Sequence, residues 1–426
     1  MNKMELKGLD QEIYFEELDN GLKVYLLPFK NKKNYYASYL TKFGSSNLEF
    51  KQDNKFVKVP AGIAHFLEHK LFESENGEDP SDFFARSGTE CNASTTYNLT
   101  GYIITGTNKL EENLDYLITY VNKPYFTEEN VEKEKGIIIE EINMYKNDPN
   151  WELITNLYTA TFKKHPIRID IGGTKESVNS INKEDLYNCY DLFYRPSNMQ
   201  LIIGGNFEPK ELLKIIKNNK ELSSKKKTPK VELKKISEPI EVNKPLVELE
   251  MPNVMIPKLA LAVKFSIKDI KKEERYEHLL YVSMILTILF GSASTFREKM
   301  LKARKFITLT FDKIVLDDIV TIEFLAESNN SKELVEEILK HFENSKITEE
   351  EVERCKKVWI ASEVLLSDDV VSTISNLISD IDEVGNIIEN KVEIIRKLNY
   401  TTLLKVREKI NLKNTSLVLM NKSKLR

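Results

Sequence analysis

The sequence predicts an α+β protein of two similar domains, each an antiparallel-rich sheet packed by helices. At 426 residues the chain is too long for one ordinary hydrophobic core. Its pattern breaks over residues 217–244, where Asn218-Asn219-Lys220 is followed by Ser223-Ser224-Lys225-Lys226-Lys227, with prolines at 229, 239 and 245. Low hydrophobicity and a charge run mark a connector there. The parts on either side repeat one order of elements, strand pairs followed by a long helical block, as an internal duplication would. The expected division is a domain over 1–220, a linker over 221–245 and a second domain over 246–426.

In the first part, short apolar runs predict strands near 23–28, 36–43, 91–96 and 99–106. Longer periodic stretches predict helices near 61–75, 109–122, 127–147 and 182–194, and Met199-Gln200-Leu201-Ile202-Ile203-Gly204-Gly205 predicts a closing strand. In the second, strands near 246–251, 258–266, 306–312 and 315–326 accompany helices near 273–290, 331–343, 348–366 and 397–410. Ser416-Leu417-Val418-Leu419-Met420 closes that part. The most apolar stretch, Leu279 to Phe290, is interrupted by Ser283 and Thr287 and is too short to span a bilayer, so a buried helix is expected.

Lys plus Arg is 62 and Asp plus Glu is 66, a net charge of −4. That balance calls for neither nucleic acid nor an acidic membrane surface. Hydrophobic residues make up 41%, which excludes wholesale disorder. The three cysteines (Cys91, Cys189, Cys355) are scattered and odd in number, which suits a reducing compartment. The first residues show no apolar core or cleavage site of a secretion signal. A cytoplasmic protein is expected.

His65-Phe66-Leu67-Glu68-His69 carries the chemistry. It concentrates two imidazoles and a carboxylate in a chain with five histidines. On a helix, His65 and His69 lie one turn apart on one face, so both rings can reach one metal ion, with Glu68 projecting close by. Two neutral nitrogen donors beside a base is what zinc-assisted peptide hydrolysis requires. The order H-x-x-E-H is the reverse of the commoner H-E-x-x-H. The helix expected near 273–290 occupies the corresponding place in the second part, yet it reads Tyr276-Glu277-His278-Leu279-Leu280 and cannot chelate. Chemistry is therefore expected in the first domain alone.

A catalytic zinc needs a third protein ligand and an open position. Candidates lie in the acidic stretch Val131 to Ile142, where Glu134 and Glu141 are seven residues apart and share a helical face, while Glu140 lies on another.

The combination resembles the pitrilysin/insulinase family of zinc peptidases, in which H-x-x-E-H is followed about seventy residues later by E-x6-E. His69 to Glu141 leaves 71 intervening residues. Gly62-Ile63-Ala64, Asn92-Ala93, His165-Pro166, Gly172-Gly173-Thr174, Asp185-Leu186 and Tyr194-Arg195-Pro196-Ser197-Asn198-Met199 agree in order. The likeness covers nearly all of residues 20–206 and is looser after the linker. The segment from Glu132 to Trp151 looks closest to bacterial processing-protease-like members of about this length.

The resemblance implies one Zn2+ per chain, with Glu141 as third ligand beside His65 and His69, Glu68 as general base, and Glu134 as a supporting carboxylate. It implies that the strand near Cys91-Asn92-Ala93-Ser94-Thr95 is an edge to which a peptide substrate adds, with Asn92 and Ala93 supplying contacts. Phe66 is a candidate to line the pocket. Family members that work alone carry Arg-x6-Tyr in the second half; here seven residues after Arg297 stands Arg304, and no tyrosine follows nearby. Arg297 remains a candidate for an oxyanion contact.

The expectation is a zinc-dependent endopeptidase for short or extended unfolded peptides. The chain would be one half of a clamshell and the zinc-bearing subunit of a pair, with a paralogous subunit supplying Arg and Tyr, or a homodimer. The competing expectation is a non-catalytic assembly subunit of the same family.

Overall fold

The computed structural model describes residues 1–423. Among these, the strands are β1 (Asn2–Leu6), β2 (Gln11–Glu17), β3 (Lys23–Pro28), β4 (Tyr35–Thr41), β5 (Glu49–Gln52), β6 (Lys55–Lys58), β7 (Glu90–Thr95), β8 (Thr100–Gly106) and β9 (Met199–Gly205), followed by β10 (Leu246–Met251), β11 (Lys258–Ser266), β12 (Thr308–Leu316), β13 (Ile319–Glu327) and β14 (Thr415–Lys422). One sheet runs β1-β2-β3-β9-β4-β8-β7 and the other β10-β14-β11-β13-β12. In each, the first strand of the repeated part pairs parallel with the closing strand, β3 with β9 and β10 with β14. The remaining neighbours are antiparallel. The orders β3-β9-β4-β8-β7 and β10-β14-β11-β13-β12 are the same five-strand pattern, so the duplication read from element order is present in the hydrogen bonding. The first sheet adds β1 and β2, and β5 and β6 form a separate hairpin.

Central strands are mostly apolar because both of their faces are covered. On one face of the first sheet, Val24, Leu26, Tyr39, Tyr102, Ile104, Leu201 and Ile203 join the main core. On the other, Tyr25, Leu27, Tyr36, Leu40 and Ile202 meet Val370, Ile374, Leu377 and Ile381 of the helix Val370–Val384. Gly204 permits this approach: a Cβ there would lie 3.0 Å from Val370 and 3.1 Å from Ile374. In the second sheet, Leu259, Leu261, Val263 and Phe265 face the helix Arg275–Phe290. Ala260, Ala262, Val418 and Met420 face Leu153, Leu157 and Ala160 of the helix Pro149–Thr161.

Two compact units result, and they depart from a division at the linker. The first comprises Met1–Asn143, Ile169–Lys235 and Val364–Asn390; the second comprises Met144–Arg168, Ile236–Glu363 and the chain from Lys391 onward. Each half of the sequence thus lends one helix to the unit built mainly by the other. Neither helix stands among the sequence expectations, although both begin with a capping aspartate, Asp148 ahead of Pro149 and Asp369 ahead of Val370.

Other expectations shift in detail. The helix expected near 61–75 is confined to Ile63–Lys70. The strands expected near 306–312 and 315–326 run Thr308–Leu316 and Ile319–Glu327, and between them Asp317 adopts a left-handed φ of 52° that a two-residue hairpin favours. The connector is docked rather than free. Its Lys225 Nζ donates to Tyr190 Oη at 3.2 Å, and backbone bonds join Lys51 to Glu232 and Lys234 to Glu49. Glu238 accepts the N–H groups of Lys163, Lys164 and His165, each at 2.8 Å, and pairs with the buried Lys264 at 2.7 Å. The helical stretch 272–302 is long and apolar enough to cross a membrane, yet its residues from Leu279 to Phe290 are mostly packed inside the second core.

A glycine contact sets the start of the helix that carries the H-x-x-E-H string. Gly62 caps it at φ 88°, and a methyl group there would run into the carbonyl of Gly172, while Gly173, at φ 84°, lies against Ala61. Left-handed backbone costs an L-residue about 1–2 kcal/mol before any clash. Gly62→Ala is therefore expected to lower stability by at least about that amount, read as a drop in the denaturant midpoint at unchanged m-value.

Candidate metal centre

The helix Ile63–Lys70 is short, and its two faces divide sharply. Ile63, Ala64, Phe66, Leu67 and Lys70 are buried, whereas His65, Glu68 and His69 are only partly covered. Burial of the first stripe against the core fixes the rotation that presents the second. Phe66 belongs to the buried stripe at 0% exposure, so it is a core residue and does not line a pocket.

The acidic helix Glu128–Lys146 behaves in the same way. Val131, Glu134, Lys135, Ile138 and Ile142 are buried, Glu141 flanks this stripe, and Glu140 is exposed. The structure brings Glu141, not Glu140, to the two histidines. His65 Nε2 lies 3.2 Å from His69 Nε2 and 3.7 Å from Glu141 Oε2, and His69 Nε2 lies 3.4 Å from the same oxygen. His65, His69 and Glu141 form a group able to hold a metal ion. At a metal–ligand distance of about 2.05 Å, tetrahedral geometry separates neighbouring ligand atoms by about 3.3 Å. The three donors have that spacing, and two nitrogens with one carboxylate oxygen suit zinc.

Surrounding groups orient them. Glu134, 6% exposed, places Oε1 3.0 Å from His69 Nδ1, so a proton on Nδ1 leaves Nε2 turned toward the other donors. Beneath it, the fully buried Lys70 pairs with Glu73 at 2.5 Å, donates to the Asn130 carbonyl at 3.1 Å, and stands 3.9 Å from Glu134. Lys70 was not singled out by sequence reasoning. The signal was its place four residues after Phe66, on the buried stripe. His65 Nδ1 is buried with no hydrogen-bond partner among the described residues.

The charges of the site are arranged for a cation. Burial alone would lower the pKa of His69, but its hydrogen bonds to the carboxylates of Glu134 and Glu141 outweigh this and push it up to about 9. Burial, with His69 beside it, pushes His65 down. Burial opposes ionisation of Glu134, and the hydrogen bond to His69 overcomes this and holds it below the usual carboxylate range. Burial raises Glu68 above that range, against a hydrogen bond from Thr95.

β7 closes one end of the first sheet, and among the described residues no strand pairs with its outer edge. Asn92 is exposed on it, Ala93 half-buried, and the Asn92 side chain accepts the Ala93 N–H at 2.8 Å. Arg297 lies apart from this chemistry. Its guanidinium donates to the carbonyls of Phe290 and Leu309 and stacks over Phe306 in the second unit.

Comparison with known proteins agrees with this arrangement. The profile described as "Insulinase (Peptidase family M16)" matches residues 58–175, and that described as "Peptidase M16 inactive domain" matches residues 180–358. The uncharacterized zinc protease YmfH of Bacillus subtilis is 38% identical over 326 residues, covering 76% of this chain and 73% of the relative. The crystal structure of an M16-like peptidase from Alicyclobacillus acidocaldarius superposes with a TM-score of 0.90 at 29% identity, covering 97% of this chain and 99% of that one. The periplasmic protease PqqL of Escherichia coli shares the fold at 18% identity and a TM-score of 0.71, with 96% of this chain covering 47% of that chain. With both profiles spanning most of the sequence and YmfH aligned over three quarters of it, the chain belongs to the insulinase family of peptidases, family M16.

Proposed function

We propose that this chain is a zinc-dependent endopeptidase for short or extended unfolded peptides, and that it is the zinc-bearing subunit of a two-chain enzyme. The observation that carries the reading is the convergence of His65, His69 and Glu141, 3.2–3.7 Å apart, with Glu68 on the same helix as the two histidines. A divalent ion held there would supply Lewis acidity toward a peptide carbonyl and acidify water.

The chain's own residues do the rest. Glu134 holds His69 in one tautomer and so keeps Nε2 available. Glu68, its carboxylate made more basic by burial, accepts a proton from water and returns one to the leaving amine. The open edge of β7 receives the peptide as an added strand, which reads main chain more than side chain and favours extended substrates. Displacing the Asn92 oxygen from Ala93 N–H frees a donor for it.

Two points favour a second chain. Arg297, the arginine nearest the expected position, spends its donors on Phe290 and Leu309, and no tyrosine follows it at the needed spacing. This chain also spans 47% of the length of PqqL, leaving room in that protein for a second such length. The partner would be a paralogue carrying Arg and Tyr, or a second copy. The three free cysteines suit a cytoplasmic setting. A non-catalytic assembly role draws on the "inactive domain" profile, but that match begins at residue 180, beyond every residue of the site.

Glu68→Gln is expected to keep its zinc and lose at least about a hundredfold in peptide turnover. His69→Ala and Glu141→Ala should lose the metal itself, read by elemental analysis. Near-normal cleavage by the Gln variant would overturn the assigned base.

Zinc uptake should also depend on pH. Below about 9 His69 holds a proton that an ion must displace. Affinity is therefore expected to rise by up to roughly tenfold per pH unit toward that value and to level off above it. Calorimetry in buffers of different ionisation enthalpy should register about one proton released per ion at pH 7. Uptake without proton release would contradict the charge arrangement described.

A further inference from the structure

Thr95, the last residue of β7, touches the motif helix through its side chain. Its Oγ1 donates to Glu68 Oε2 at 2.5 Å. Among the described residues, its one other side-chain hydrogen-bond contact is Thr100 Oγ1, at 3.3 Å, directly across the β7–β8 ladder. A hydroxyl has one proton to give. That of Thr100 is committed to the buried carbonyl of Phe43 at 2.8 Å, and that of Thr95 to Glu68. Among the described residues, no other side chain bonds the Glu68 carboxylate.

The terminal torsion of a glutamate is soft, so a carboxylate with one anchored oxygen differs from one that turns freely. Anchoring Oε2 leaves Oε1 as the oxygen available to accept a proton. The anchor comes from the sheet rather than from the helix: Thr95 pairs with Thr100, and Thr100 pairs in turn with Thr41 of β4. The base is therefore set by the same edge strand that is open to an added peptide.

We propose that Thr95 is a positioning residue for Glu68, fixing which carboxylate oxygen faces the reaction. The proposal rests on the peptidase reading above. It predicts a loss in the chemical step without loss of metal or of substrate binding.

The test compares wild type, Thr95→Val, which keeps the shape and removes the hydroxyl, and Thr95→Ser, which restores it. Each is assayed on a fluorogenic peptide in the presence of whatever partner chain the wild type requires, with bound zinc and thermal midpoint measured on the same preparations. Thr95→Val is expected to lower kcat by about 10–100-fold with KM, zinc content and midpoint little changed, and Thr95→Ser to recover most of kcat. A crystal structure of Thr95→Val should show the Glu68 carboxylate rotated.

An active wild type matched by an equally active Thr95→Val would overturn the proposal alone. So would a loss that tracks zinc content or midpoint, or one that Ser leaves unrepaired. A wild type that cleaves no peptide with zinc and partner present would overturn the peptidase reading, and this proposal with it.

Discussion

Everything in the first unit answers to the need to hold two helices, distant in sequence, with their polar stripes facing. Neither helix can do this by its own propensity. The helix Ile63–Lys70 is barely two turns long and would not persist in isolation. What sets it is the burial of Ile63, Ala64, Phe66 and Leu67 on one side and the glycine contact at its start. The acidic helix is held likewise by Val131, Ile138 and Ile142. Once both are locked by their apolar sides, His65, His69 and Glu141 have little freedom left, and close approach of two imidazoles and a carboxylate becomes the state the core enforces. Lys70 and Glu134, buried behind them, offset part of the charge this concentrates.

The second unit shows what the same scaffold does without that demand. The helix Arg275–Phe290 stands where the motif helix stands in the first, and most residues from Leu279 onward are buried. Its half-buried stripe holds Leu280, Ser283 and Thr287 in place of histidines and a glutamate, and its His278 is a mostly buried imidazole whose pKa burial lowers. The same five-strand order thus supports a helix that presents potential metal ligands in one copy and a helix largely buried in packing in the other.

Much of this was legible from residues alone. Central strands such as β3, β9 and β11 were read at their observed bounds because apolar cover on both faces leaves largely apolar runs. The metal group was legible because helical spacing is a local property, and Glu141 was chosen over Glu140 by resemblance before geometry placed it. Tertiary partners were not. That Phe66 is core, that Lys70 lies under Glu134, and that Thr95 reaches Glu68 depend on contacts between separate segments, the last two across 64 and 27 positions, which no local period encodes. β1 and β2 passed unnoticed because their alternation is mostly half-exposed, as befits strands at a sheet margin. The helices Pro149–Thr161 and Val370–Val384 were missed despite clear caps, since nothing local says that each covers a sheet made largely by the other half.

That lending of helices has a consequence for synthesis. As the chain leaves the ribosome, the sheet of the first unit can be assembled once β9 has emerged, but Tyr25, Leu27, Tyr36, Leu40 and Ile202 stay bare until residues 370–381 follow. At ordinary elongation rates of about 5–20 residues per second, an apolar sheet face waits on the order of ten seconds or more for its cover. A nascent chain of this design spends that interval as a natural client for chaperones that shield exposed strands.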